Sequence, residues 1–284
     1  MLDWIAFALI ATFAFGLQNF GYKIAAERGC NSATLMSSFI GTTIILSAVA
    51  LVVTWNFSIN SLYLFLAFAG INAASFVVKF ILRQEALKLI PLVIGLPLSK
   101  MSAAVAAAIG ILFLGEQLTL FNFAGILISM AAVWILSQKD DGDDIKDFKK
   151  GITLMLVVVL AAAIGDLAIK LASTEGNNFL FIVTTYGMMF FPALMLQERF
   201  SSIEEATQKS SLKWGIIIGV INFVSFSSLL AALQTGPMAI IFPMTTLGIA
   251  LSVALSVGIL KEELTRKRLT GLILALIALI LLNL

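Results

Sequence analysis

Apolar residues run along this chain in ten long blocks, not in the alternating or one-faced patterns of a water-soluble fold. The blocks are 2–27, 32–54, 62–82, 91–114, 120–137, 151–172, 178–196, 212–233, 237–260 and 269–284. Each is near the ~17–25 residues a helix needs to cross the hydrocarbon of a bilayer, so ten transmembrane helices are predicted. The last is short, and Arg268 at its start is expected to snorkel. One polar stretch, 138–150, separates five helices from five. The expected division is therefore a first five-helix repeat over 1–137, a linker over 138–150 and a second repeat over 151–284.

The word repeat rests on a second pattern. Pro91, Pro97, Glu116 and Gly125 recur as Pro237, Pro243, Glu262 and Gly271, each 146 positions on. Around the glutamates, Leu114-Gly115-Glu116-Gln117-Leu118-Thr119 answers Leu260-Lys261-Glu262-Glu263-Leu264-Thr265. Upstream the echo is fainter. Asn19-x-x-x-Lys23 matches Asp166-x-x-x-Lys170, and Asn72-x-x-Ser75 matches Asn222-x-x-Ser225. Self-similarity in register over a whole half-chain marks a transporter built from two copies around a central site.

Composition changes the picture only by naming the solvent. With 60% hydrophobic and 12% charged residues and a mean hydropathy of +1.05, the chain lacks the charge to wet a soluble surface. Asp3 is the only early charge, so the N-terminus reads as a first span and not a cleavable signal. Charge then sets orientation. The basic loop residues, among them Arg28, Arg83, Lys139, Lys149, Arg199, Lys213 and Arg266, fall on one side of the ten spans. The opposite loops, 55–61, 115–119, 173–177 and 234–236, hold no Lys or Arg. The basic side is expected to be cytoplasmic, with both termini outside, in a cell (inner) membrane. Trp4 and Trp55 fall at outer interfaces, and Trp134 and Trp214 at inner ones. Five helices per half is an odd number, so the second copy enters the membrane inverted. The fold class expected is an all-α membrane protein, ten transmembrane helices in two inverted-topology five-helix repeats.

The doubled Pro91/Pro97 and Pro237/Pro243 helices, the doubled Glu-Leu-Thr-type turns, and the Asn or Asp with Lys in helices 1 and 6 resemble the drug/metabolite transporter superfamily. The match is to its ten-helix, EamA-like branch and covers essentially the whole chain. The resemblance implies a monomeric or homodimeric carrier with a central cavity, for substrates that range from amino acids and drugs to nucleotide sugars, sugar phosphates and cofactors.

Lys100 stands out among the polar residues. It lies about 14 Å into its helix at ~1.5 Å per residue, where a cation costs at least ~2.5 kcal/mol unless it meets a partner or water. It reads either as a clamp for a substrate carboxylate or phosphate, or as a structural ion-pair partner of Asp166. Asp166, about 22 Å from the cytoplasmic end of its helix, reads either as a proton-coupling group or as that pair's other half. Pro97 and Pro243 are candidate kinks and gates, since each frees a backbone carbonyl inside a helix. Gln18, Asn19, Asn72, Ser75, Asn222, Ser225, Thr245 and Thr246, with Tyr186, are the candidate substrate-binding set. Each alone reads equally as interhelical glue. Glu116 and Glu262 are read as caps for the helices that follow them, Gly125, Gly271, Gly215 and Gly219 as points of close helix contact, and Lys79 as snorkelling near a cytoplasmic end.

Several classes are excluded. The chain has no histidine and one cysteine, Cys30, which leaves no imidazole chemistry, no disulfide and no cysteine-built metal site. No phosphate-cradling G-x-x-x-x-G-K-[ST] loop is present, so ATP is not the direct energy source. No cofactor, no metal and no nucleic-acid partner is expected. The expected function is secondary transport of a small polar or amphipathic metabolite, foremost an amino acid, by alternating access, with membrane lipid around it and protons as a candidate coupling ion. An antiporter of organic anions or sugar phosphates using Lys100 is the second reading. An intramembrane enzyme or a channel fits the residues less well.

Overall fold

A computed structural model of the chain describes residues 3–87, 89, 98–136, 148–200, 205–261 and 265–284. Its helices are α1 (Asp3–Glu27), α2 (Ser32–Thr54), α3 (Leu62–Leu87), α4 (Ser102–Leu114), α5 (Leu120–Leu136), α6 (Phe148–Glu175), α7 (Asn178–Phe200), α8 (Glu205–Thr235), α9 (Met238–Thr246), α10 (Gly248–Ile259) and α11 (Arg266–Leu282). Among the described residues, six helical spans are long and apolar enough to cross a membrane, and four shorter apolar helices accompany them. The chain is an all-α membrane protein. Five helices, α3, α6, α7, α8 and α11, start or end beyond the apolar blocks, because the block marks the hydrocarbon and the helix continues into the polar layer. α3 runs five residues past the predicted 82, and α6 starts at Phe148 inside the predicted linker.

Both faces of these helices are apolar, since lipid is as apolar as a core. Leu112, Phe113, Leu120 and Ile280 are exposed. Contact faces are marked by small residues instead: Ala8, Ala11 and Ala14 on α1, Ala103, Ala106, Ala107 and Gly110 on α4, and Ala275 and Ala278 on α11 are all buried.

The helix ends are closed locally. Asn31 caps α2, its Oδ1 accepting from the Ala33 and Thr34 N–H groups at 3.0 Å. Asn177 does the same for α7 through Phe179 and Leu180. α5 opens with a reciprocal box: Asn122 N–H donates to Thr119 Oγ1, and Thr119 N–H donates to Asn122 Oδ1. Glu116 is therefore not needed at the helix that follows it, and its carboxylate goes to α9 instead.

The repeat seen in sequence carries into the backbone. The span Met238–Ile259 breaks at Leu247, whose N–H donates to Met244 O at 3.0 Å in a tightened turn. The first copy breaks at Met101, whose N–H donates to Leu98 O at 3.1 Å. Since 247 − 101 and 244 − 98 both give 146, the interruption is inherited by both copies. It comes four residues after Pro97 and Pro243 in the sequence. The helix stop is matched as well: Gly115 and Lys261 share the left-handed conformation, with φ of 66° and 59°. A lysine there is strained where glycine is not.

The described chain forms two compact units. The first comprises Met1–Ala74 and Ala168–Thr235, the second Ser75–Leu167 and Gly236–Leu284. Within the first, α8 packs closely on α2, and a Cβ at Gly215 or Gly219 would run into Ser38 or Thr42 and into the carbonyls of Leu35 or Phe39. The connections before α3 and before α7, expected on one side of the membrane, pair there: an antiparallel bridge joins Ile59 to Gly176, and Asn60 N–H donates to Glu175 O at 2.7 Å. Within the second unit, Gly125 of α5 lies against Leu282 of α11, the close contact expected of it. Ala86, Met155 and Val158 form a small core with Leu82, Leu98 and Ile152.

Candidate functional site

In the first unit, α1, α2, α7 and α8 bring four polar side chains into one buried network. Asn222 is its hub. Its Oδ1 accepts from Gln18 Nε2 at 3.1 Å, and its Nδ2 donates to Tyr186 Oη at 2.8 Å and to Thr43 Oγ1 at 3.2 Å. Gln18 Nε2 also donates to Tyr22 Oη at 3.4 Å. Thr43 passes its own proton to Phe39 O at 2.9 Å. Aromatic rings wall the group: Tyr22 on Phe39, Phe39 on Tyr186 and Tyr186 on Phe226 are edge-to-face, with centroids 5.7–6.4 Å apart. A buried polar network of this kind holds four helices in one register.

Three of the predicted binding residues, Gln18, Tyr186 and Asn222, thus meet in one place. The others are arranged differently. Ser225 turns its hydroxyl back to Ile221 O at 2.8 Å. Thr245 and Thr246 donate to Phe242 O and Pro243 O at 2.8 and 2.7 Å, the second taking the carbonyl that Leu247 leaves at the break. Asn72 is buried and Asn19 and Ser75 half-buried, and none of the three makes a hydrogen bond among the described residues. Pro243 is buried within α9. Pro97 lies outside the described residues.

In the second unit, charge is concentrated. Asp166 on α6 lies within electrostatic range of Lys79 and Lys100. Arg83, one turn beyond Lys79 on α3, acts on both lysines. Asp166 closes no ion pair with either lysine among the described residues. Lys100 immediately precedes the break at Met101, so the cation sits where the helix ladder is already interrupted. Lys79, expected to snorkel, instead stays half-buried with its Nζ 5.4 Å from the Phe76 ring centroid. The signal for it was present as Lys79-x-x-x-Arg83, a helical spacing that puts both cations on one face. Lys170, one turn after Asp166 on α6, donates to Leu233 O at 2.7 Å near the end of α8.

The chain as a whole is similar to known proteins. The profile of the EamA-like transporter family matches residues 2–138 and again 149–284. The chain belongs to the EamA-like transporter family. The two matches fall on the two copies of the sequence repeat. An uncharacterized protein of Methanocaldococcus jannaschii is 30% identical over 133 residues, which are 46% of this EamA-like chain and 95% of that protein. That relative has the length of one repeat. A solved crystal structure of a protein is similar over 96% of this chain and 95% of its own, with a TM-score of 0.76 at 12% identity, a likeness of fold alone. The EamA-like chain is therefore a multi-pass membrane protein of a transporter family.

Proposed function

We propose that this EamA-like chain is a secondary active transporter that moves a small polar or amphipathic metabolite, foremost an amino acid, by alternating access. The observation that carries the reading is the charge cluster of the second unit: Lys79 and Lys100 in electrostatic range of Asp166, with Lys100 at the break of its helix. Ionisable groups in membrane spans mark substrate and ion pathways, and interrupted helices expose backbone groups at transporter sites. A site with both signs of charge suits a zwitterion. The substrate carboxylate meets Lys100 and Lys79, and its ammonium meets Asp166. Asp166 is also the candidate coupling group, since it can exchange a proton between states. Pro97 and Pro243 are the candidate gates of the two copies.

One observation favours a second reading. Two lysines, Lys79 and Lys100, act on the one carboxylate of Asp166. Their excess positive charge suits an organic anion or sugar phosphate carried in exchange. In either case the carrier resides in the cell (inner) membrane as a monomer or homodimer, with its termini on the non-cytoplasmic side.

The test is a thermal-shift screen of the purified protein followed by counterflow in proteoliposomes, using amino acids, dicarboxylates and phosphorylated sugars. A bound substrate stabilises by mass action, roughly 2.7 kcal/mol at a hundredfold excess over Kd. Stabilisation and counterflow by amino acids support the first reading, and by phosphorylated sugars alone the second. Neither response to any of the three classes overturns both.

A further inference from the structure

The first unit holds a cleft that the transport reading does not use. Its volume is about 330 Å³, at the lower end of the ~300–1,000 Å³ range of ligand pockets. Its walls come from the connections before α3 and α7 and from the last turns of α8, all on the side without basic loops. No charged residue lines it.

The chemistry of the lining is specific. Asn56, Asn177 and Asn178 each commit their side-chain oxygen to the protein. Asn56 Oδ1 accepts from Ser58 N–H at 3.1 Å, Asn177 Oδ1 from Phe179 N–H at 2.8 Å, and Asn178 Oδ1 from Gln234 Nε2 at 3.3 Å. The three amide NH₂ groups make no hydrogen bond among the described residues and remain as donors. Gln234 Oε1 remains as an acceptor. Ser227 and Ser228 stand on the same wall of the cleft. Beside these groups the Phe179 ring is held by stacking on Phe223, with centroids 6.0 Å apart.

We infer that this cleft binds a neutral polyhydroxylated ligand, the ring of a saccharide or a polyol. Fixed amide donors, an amide acceptor and serine hydroxyls match neighbouring sugar hydroxyls, which both donate and accept. An aromatic ring takes the apolar face of a pyranose. An anion would find no cation in the lining, and a cation no carboxylate. The same chemistry is offered by a free sugar and by the headgroup of a glycolipid.

The experiment uses the full chain in phosphatidylcholine nanodiscs, titrated with D-maltose and, separately, with sodium gluconate, and read by calorimetry and by the fluorescence of Trp55, the neighbour of Asn56. A second set of nanodiscs contains monoglucosyl diacylglycerol. Saturable maltose binding without gluconate binding supports the proposal. Loss of maltose binding in the glycolipid discs also supports it and assigns the site to the headgroup. Gln234→Ala, at an exposed position, removes the amide acceptor and is expected to weaken maltose three- to tenfold, and Ser227→Leu is expected to abolish binding by filling the cleft. The inference is overturned if neither maltose nor the glycolipid binds, if gluconate binds more tightly than maltose, or if Ser227→Leu leaves the maltose affinity as it was. None of these outcomes depends on transport, so the two readings stand or fall separately.

Discussion

Glu116 reaches 122 residues along the sequence to close the start of α9. Its Oε1 accepts from the Met238 N–H and its Oε2 from the Ala239 N–H, both at 2.8 Å. Two orphan donors of a helix N-terminus are thereby met by one carboxylate, whose charge also suits the positive end of the helix dipole. The turn that carries Glu116 folds back because Gly115 adopts φ of 66°. A motif shared by both copies thus fastens the first repeat to the broken helix of the second.

Removing that carboxylate strands both donors. Glu116→Ala is expected to destabilise the protein by about 1–2 kcal/mol, and Glu116→Gln by less, since an amide oxygen still accepts one bond. Thermal denaturation of the purified protein in detergent measures it. Equal Tm values for wild type and Glu116→Ala would show the cap to be idle.

Helix α8 approaches α2 along Gly219, where an added methyl meets Thr42 Cβ at 2.6 Å and the Phe39 carbonyl at 2.9 Å. Backbone cannot step aside as a side chain can. Gly219→Ala is expected to cost about 1–3 kcal/mol by overpacking. Gly41→Ala, on α2 with nothing within 4 Å of its added methyl, is the control and should be neutral or slightly stabilising, as alanine favours helix. A Tm that falls equally for both would assign the loss to α2 and α8 in general and not to this contact.

The proposed orientation puts the 115–119 turn outside and the start of α8 inside. In a Cys30→Ser background, Gln117→Cys should react with a membrane-impermeant thiol reagent in intact cells, and Lys209→Cys only after lysis. Both positions are exposed. The opposite pattern would invert the assignment based on basic loops.

Much of this architecture was legible because lipid is an unforgiving solvent. Every backbone group must be paired within the span, so an uninterrupted apolar block can only be a helix. The break at Met101 and Leu247 was not legible in the same way, because a proline disturbs the turn before it and the break lies one turn after Pro243. The network around Asn222 was legible only in part. Gln18, Tyr186 and Asn222 are polar in apolar blocks and so draw notice, but Thr43 does not. A threonine in a helix bonds its own carbonyl, as Thr43 does to Phe39, and only packing reveals that it also accepts from Asn222. Lys79 lies near the block's edge at 82, but its nearness to Asp166 is a relationship of the folded chain that the sequence does not print.

The Lys100–Asp166 relationship separates a working site from a scaffold. If a substrate supplies the negative group that Lys100 needs, the empty carrier holds an under-compensated ammonium, and binding relieves part of that cost. Lys100→Met keeps the apolar stem and removes the charge. It is expected to weaken an anionic or zwitterionic substrate by roughly 1.5–3 kcal/mol, about ten- to a hundredfold, because a charge-assisted bond is lost. Stability should hold or rise, since methionine suits packed helices in lipid, and Lys79 remains within range of Asp166. A scaffold role predicts the reverse. Lys100→Met then leaves Asp166 under-compensated and lowers the Tm, Asp166→Asn in the same chain restores it, and substrate affinity does not move. Tm and affinity for the two single variants and the double variant form a closed cycle whose coupling reports which role holds. Destabilisation by Lys100→Met with unaltered affinity, relieved by Asp166→Asn, would remove Lys100 from the substrate site and with it the main support for a carboxylate clamp.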